Sequence, residues 1–165
     1  RPAAVKPFGF YSPTVRSDLN DLGGGNWRVI IEIEPGPPVV MEDVKVSVRG
    51  PGADDPLFTR IVSDPPLRPG QRLSHAAYEK LKGDLQRTAA TYGFLDARMA
   101  KSELRVDPDK HTAVATLELN TGPRYRFGTT NIEQDAVDEM LVRRFMRYEQ
   151  DEPIQQAVSV VLTIA

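Results

Sequence analysis

The chain has 165 residues, 40% apolar and 27% charged, with a formal net charge of −2. This is a globular rather than a disordered composition, and it lacks the concentrated Lys and Arg surplus that a phosphate backbone demands, so no nucleic-acid surface is expected. Cysteine is absent, which removes disulfides, thiolate metal sites and cysteine nucleophiles, and the longest apolar runs, such as Val158 to Ala165, fall far short of the ~20 residues of a membrane-spanning helix.

In chain order, the first strong element is a strand over Trp27 to Glu34, where Trp27, Val29, Ile31 and Ile33 alternate with more polar neighbours, Ile30 excepted, and predict one buried face. Gly23-Gly24-Gly25-Asn26 before it supplies a tight return, so residues 10–34 read as a hairpin. Pro35-Gly36-Pro37-Pro38 ends it, because proline has no ladder donor and restrains its predecessor. A new strand follows with Val44, Val46 and Val48 on one face, stopping at Arg49-Gly50-Pro51-Gly52. A short helix is predicted over Pro56 to Ser63, with Asp55 as N-cap and Pro56 at its first position. A longer helix starts from Ser74, carries Tyr78, Leu81, Leu85, Ala89 and Tyr92 at spacings of three and four, and is closed by Gly93. A second hairpin then pairs strands near 97–106 and 112–119, with Ala113, Ala115, Leu117 and Leu119 facing inward.

The chain also repeats itself. Gly9-Phe10-Tyr11 returns as Gly93-Phe94-Leu95, a step of 84, and the turn glycines Gly36 and Gly122 are separated by a step of 86. A period of that length implies one structural unit used more than once, in a serial array that binds rather than around a catalytic cleft. The residues that could carry catalysis point the same way. His75 and His111 are the only histidines and match no nucleophile-elbow or metal-helix pattern. Asp54-Asp55 and Asp107-Pro108-Asp109 read as a cap and a turn, and Gly23-Gly24-Gly25 lacks the Lys-Ser/Thr of a phosphate loop. Arg143, Arg144 and Arg147, followed by Glu149, Asp151 and Glu152, read as a solvated helix face. No catalytic residue, cofactor or metal site is expected.

The element order, the Gly-Phe-Tyr step, Ile33 to Val39, Leu73 to Lys82 and Thr121 to Gly128 resemble POTRA (polypeptide-transport-associated) domains, closest to those of the TamA family, the outer-membrane subunit of the translocation and assembly module. The resemblance implies an α+β fold of tandem strand-helix-helix-strand-strand units, each a three-stranded mixed sheet with two helices on one face. Residues 1–36 would be the C-terminal part of a first domain, 37–122 a complete second and 123–165 part of a third. Val158 to Ile164 reads as a last strand soon after Asp151-Glu152-Pro153-Ile154, which reads as the lead into a helix, so residues are expected to be missing from the sequence near 154–156.

The resemblance further implies the periplasmic portion of a Gram-negative outer-membrane protein, an inner-membrane-anchored TamB-like partner, unfolded outer-membrane or autotransporter clients, and the family's own C-terminal β-barrel, which this sequence does not contain. Related barrels, such as the general assembly factor BamA or a two-partner secretion transporter, remain alternatives, as does a periplasmic hydrolase or sugar-binding domain. A small mixed sheet has edges whose unpaired N–H and C=O groups can accept another strand. The first strand of the second hairpin is expected at such an edge, with Arg98, Ala100, Ser102 and Arg105 as edge or outward positions. The second expected surface is the pair of short, semi-rigid joints, at Pro35, Gly36 and Pro37 and at Gly122, Pro123, Arg124, Tyr125 and Phe127, with Tyr125 and Phe127 wedged into the interface.

Overall fold

A computed structural model describes residues 2–133 and 138–155. After a 3-10 helix (Pro2–Phe8) come β1 (Thr14–Gly23), β2 (Asn26–Glu34), β3 (Val40–Arg49), α1 (Pro56–Ser63), α2 (His75–Thr91), β4 (Arg98–Asp107), β5 (Thr112–Asn120) and α3 (Glu139–Phe145). The strand expected over Val158 to Ile164 lies outside the described residues.

Local chemistry sets these limits as the sequence anticipates. Asp55 accepts the Leu57 N–H at 3.0 Å with Pro56 opening α1. Ser74 Oγ accepts the Ala77 N–H at 3.2 Å at the head of α2, and Gly93 follows the helix in the left-handed region. The solvated reading of Arg143 and Arg144 agrees with α3, where both are exposed and Arg143 pairs with Glu139 at 2.7 Å.

The three-stranded sheet has the order β3-β5-β4. The Val40 N–H donates to the His111 carbonyl at 2.9 Å at one end of β3, and the Thr121 N–H to the Arg49 carbonyl at 2.9 Å at the other. β3 and β5 therefore run the same way, while the short turn between β4 and β5 makes that pair antiparallel and the sheet mixed. Along β5, Ala113, Ala115, Leu117 and Leu119 are buried and the residues between them half-buried. One face of the sheet is covered and period-two alternation decides which.

By Cα proximity the described chain divides into two compact units, 2–46 with 65–82 and 102–117, and 47–64 with 83–101 and 118–155. In the first, Val39, Met41, Leu67, Leu73, Tyr78, Leu81 and Leu117 form the core. In the second, Phe58 meets Phe94 edge-on at 5.5 Å, beside buried Leu85, Ala89 and Leu119. Buried Thr121 accepts the Gly52 N–H at 3.0 Å and donates to the Gly122 carbonyl at 3.0 Å. Gly52 has no substitute here, since a β-carbon would stand 2.6 Å from the Phe94 ring.

The first hairpin departs from expectation. β1 and β2 pair antiparallel with Val15 opposite Ile33 and Leu19 opposite Val29, so the apolar residues share one face as read. That face is not buried: Trp27, Val29, Ile31 and Ile33 are 57%, 60%, 61% and 53% exposed. Alternation identifies the apolar side of a strand but carries no information on what covers it, and among the described residues nothing does.

In the β4–β5 turn, Asp107 Oδ1 accepts the N–H groups of Asp109 and Lys110, each at 3.1 Å. The Lys110 N–H, helped by its ammonium group, holds the Asp107 carboxyl below the ordinary aspartate range. A depressed pKa stabilises the fold above the unfolded-state value, about 3.9, and that contribution is lost as pH falls through the folded value. Carboxyl NMR should therefore place the Asp107 midpoint below that of a model aspartate, and the stability gap between the parent and Asp107→Ala should narrow as the solution is acidified. Leu117→Ala, which empties a fully buried site, should lower stability by about 2–5 kcal/mol in urea unfolding with little change in m-value.

Candidate interaction surfaces: repeated joints and a sheet edge

The first joint is organised by Gly9. Its φ of +85° closes the 3-10 helix, its N–H donating to the Lys6 carbonyl at 2.9 Å. The Gly9 carbonyl accepts the Val39 N–H at 2.7 Å, and the Val39 carbonyl accepts the Leu73 N–H at 2.9 Å. A β-carbon on Gly9 would stand 2.5 Å from the Leu73 carbonyl oxygen, so that oxygen occupies the space a side chain would need. Two residues on, the Met41 N–H donates to Gln71 and the Met41 carbonyl accepts from Gly70, both at 2.8 Å. Val39–Met41 and the segment before α2 thus form a short antiparallel ladder, with Val40 bridged to Arg72. Around it, Phe10 bridges Pro38, the Arg72 guanidinium lies over the Phe10 ring at 5.6 Å, and Tyr11 Oη meets His75 Nε2 at 2.7 Å.

The second joint repeats these bonds. Gly93, at φ +84°, accepts the Tyr125 N–H at 2.7 Å, and the Tyr125 carbonyl accepts the Ile154 N–H at 3.1 Å. A β-carbon on Gly93 would stand 2.7 Å from the Ile154 carbonyl oxygen. The Phe127 N–H donates to Glu152 at 2.9 Å, its carbonyl accepts from Asp151 at 2.8 Å, and Arg126 is bridged to Pro153. Even the turns agree: Arg68 N–H to the Gln71 side chain at 3.2 Å corresponds to Glu149 N–H to the Glu152 side chain at 3.0 Å. Gly70 and Asp151 both lie in the left-handed region. Nothing stands within 4 Å of a β-carbon on Gly70, which explains why aspartate serves at the equivalent place while glycine is kept at 9 and 93.

The anticipated joint residues have distinct positions. Pro35, Pro37 and Pro123 are exposed. A β-carbon on Gly36 would stand 2.6 Å from the Ser12 carbonyl oxygen, and one on Gly122 3.1 Å from Asp96 Cβ. Arg124 is a pin: its Nε donates to the Tyr92 carbonyl at 2.9 Å, Nη1 lies 3.6 Å from Asp55 and the guanidinium covers the Phe94 ring at 5.7 Å. Tyr125 remains 41% exposed and donates its hydroxyl to Asp96 at 2.7 Å. That hydrogen bond and the carboxylate charge push its pKa up. Phe127 stacks on Tyr148 at 4.1 Å with 20° between the planes. Sequence reasoning missed the roles of Gly9 and Gly93, although their recurrence was the signal, and it missed Asp151, which no residue-type pattern links to Gly70.

The other surface is the sheet edge. β4 lies at one edge and β3 at the other, and the joint ladder already engages β3 at Val40 and Met41. Arg98, Ala100, Ser102 and Arg105 are all exposed on β4. They do not share one direction: Ser102 Oγ is 3.0 Å from the Tyr78 hydroxyl, so it points toward α2, whereas Arg105 pairs with Glu103 at 3.3 Å. Among the described residues no group of three or more His, Asp or Glu could hold a metal ion, and no helix is long and apolar enough to cross a membrane.

No family model matches the sequence. A solved structure of POTRA domains 3–5 of BamA from Haemophilus influenzae is similar, with a TM-score of 0.53 and 14% identity over 91% of this chain and 59% of that one. The fold is that of POTRA domains. POTRA domains 1–3 of the periplasmic domain of Omp85 from Anabaena align with a TM-score of 0.34 and 16% identity, over 94% of this chain and 63% of that one. The chain therefore spans about three-fifths of the length of each of these POTRA structures.

The two glycine contacts make a direct prediction. Gly25 has a φ of +81° with nothing near its would-be β-carbon, so Gly25→Ala should lower stability by only about 1–2 kcal/mol. Gly9→Ala and Gly93→Ala must also displace a carbonyl, so each should lower stability by more. Hydrogen exchange should show faster amides at Val39 and Leu73 for Gly9→Ala, and at Tyr125 and Ile154 for Gly93→Ala.

Proposed function

We propose that this chain belongs to the periplasmic POTRA array of an outer-membrane protein assembly and translocation factor of the TamA kind, and that it acts as a scaffold and binding module without catalysis of its own. The observation that carries this reading is the recurrence of one joint, bond for bond, at Gly9 and Gly93, in a chain with the POTRA fold. In this reading residues 1–36 end a first domain, 37–122 form the second and 123–165 belong to a third. The exposed β1–β2 face supports the division: Trp27, Val29, Ile31 and Ile33 stand, by the 86-residue step, where Ala113, Ala115, Leu117 and Leu119 are buried. The face is then the sheet surface that the helices of the first domain cover.

The partners in this reading are an inner-membrane-anchored TamB-like protein and unfolded outer-membrane or autotransporter clients, docked by strand addition at β4 through Arg98, Ala100, Ser102 and Arg105. The joints orient the array. Likeness to BamA POTRA domains favours, as a second reading, the same module in a general assembly factor.

Photoreactive residues placed at Arg98 and Arg105 in the native envelope, with a control at exposed Glu79 on α2, test the proposal. Adducts from β4 but not from α2 to an inner-membrane-anchored protein support the TamA-like reading. Adducts from β4 only to proteins anchored in the outer membrane favour the second reading, and no protein adduct from β4 removes the edge from the docking function.

A further inference from the structure

The charge of the β4 edge narrows what can be added to it. The chain as a whole carries −2, yet β4 holds Arg98, Lys101 and Arg105 against Glu103 and, at its turn end, Asp107. The β3 edge is balanced, with Glu42 and Asp43 against Lys45 and Arg49, and its first residues are already engaged by the joint ladder. Ser102 points toward α2 through its contact with Tyr78. Strand alternation therefore sends Lys101 and Glu103 to the opposite face, and the Glu103–Arg105 contact at 3.3 Å sets Arg105 beside them. From Lys101 to Arg105 that face of the edge presents the order cation, anion, cation at every second residue.

We propose that β4 selects an extended partner segment with carboxylates four residues apart, opposite Lys101 and Arg105, and a polar or basic residue midway between them, opposite Glu103. The proposal rests on the reading of β4 as a strand-accepting edge and adds the chemistry of what it accepts. Backbone hydrogen bonds alone would pair any sequence. Directly opposed side chains on neighbouring strands lie about 4.5–5.5 Å apart, close enough for opposite charges to stabilise the pair and like charges to oppose it. The partner is thus chosen by charge order on one face, while its other face is left to contacts near α2.

Two soluble peptides test this on the intact chain: Thr-Thr-Glu-Val-Lys-Val-Glu-Thr-Thr and its charge-reversed form Thr-Thr-Lys-Val-Glu-Val-Lys-Thr-Thr, titrated while amide NMR shifts are followed. The first should shift β4 amides and bind about tenfold tighter than the second, with the gap shrinking as salt is added. In a Lys101→Glu, Arg105→Glu chain that keeps the parent spectrum elsewhere, the preference should reverse. Equal affinities at β4 in both chains would overturn the charge inference and leave the edge reading standing. If neither peptide shifts β4 amides, the edge reading falls and the inference with it.

Discussion

A backbone carbonyl in the space of a missing β-carbon is the contact on which the joints depend. At Gly9 the oxygen belongs to Leu73 and at Gly93 to Ile154. The same glycine must adopt a left-handed φ to end the preceding helix and present its carbonyl to the segment that leaves the hairpin. These are two demands on one residue, conformational and steric, and only glycine meets both. Once it does, the chain after the hairpin is fixed against the chain before the next helix by reciprocal backbone bonds, each contributing about 1 kcal/mol net. A joint of this kind forms as a set, because every bond in it presupposes the same close approach.

Much of the fold was legible in the residues. Asp55, Pro56, Ser74 and Gly93 mark helix ends through chemistry that acts within four positions, and alternation along β5 marks the covered face through geometry that acts within two. What the sequence did not disclose acts at a distance. The joint ladders join residues 24 or more positions apart through main-chain atoms, which have no residue-specific signature. Proline and glycine at Pro35 to Pro37 advertise a break, yet the ordered pairing begins just beyond it, at Val39. Ser102 was legible as an edge position, but its hydroxyl turns toward Tyr78 because the tertiary fold offers a partner there. For the β1–β2 hairpin, alternation named the apolar face and could not name its cover.

The joints also bear on how the sheet edges are used. Pairing an extended segment with a strand edge through main-chain bonds is what this chain already does internally, where Gly70 to Leu73 lie against Val39 to Met41. The start of β3 is engaged by the chain's own segment. β4 has no such segment among the described residues, and it carries exposed arginine and lysine side chains, which guard a strand edge against indiscriminate pairing. The two edges of one small sheet are thus differentiated by connectivity.

Because the contacts at each joint are made by main-chain atoms, they place few demands on residue identity. Met41 and Phe127, Leu73 and Ile154, Gly70 and Asp151 serve the same bonds with different side chains. A segment copied or exchanged at these points needs little more than a glycine in the right place and a turn that reaches left-handed geometry. The joint behaves as a standard coupling, tolerant of divergence on both sides, because what it conserves is a path of the main chain and not a set of side chains.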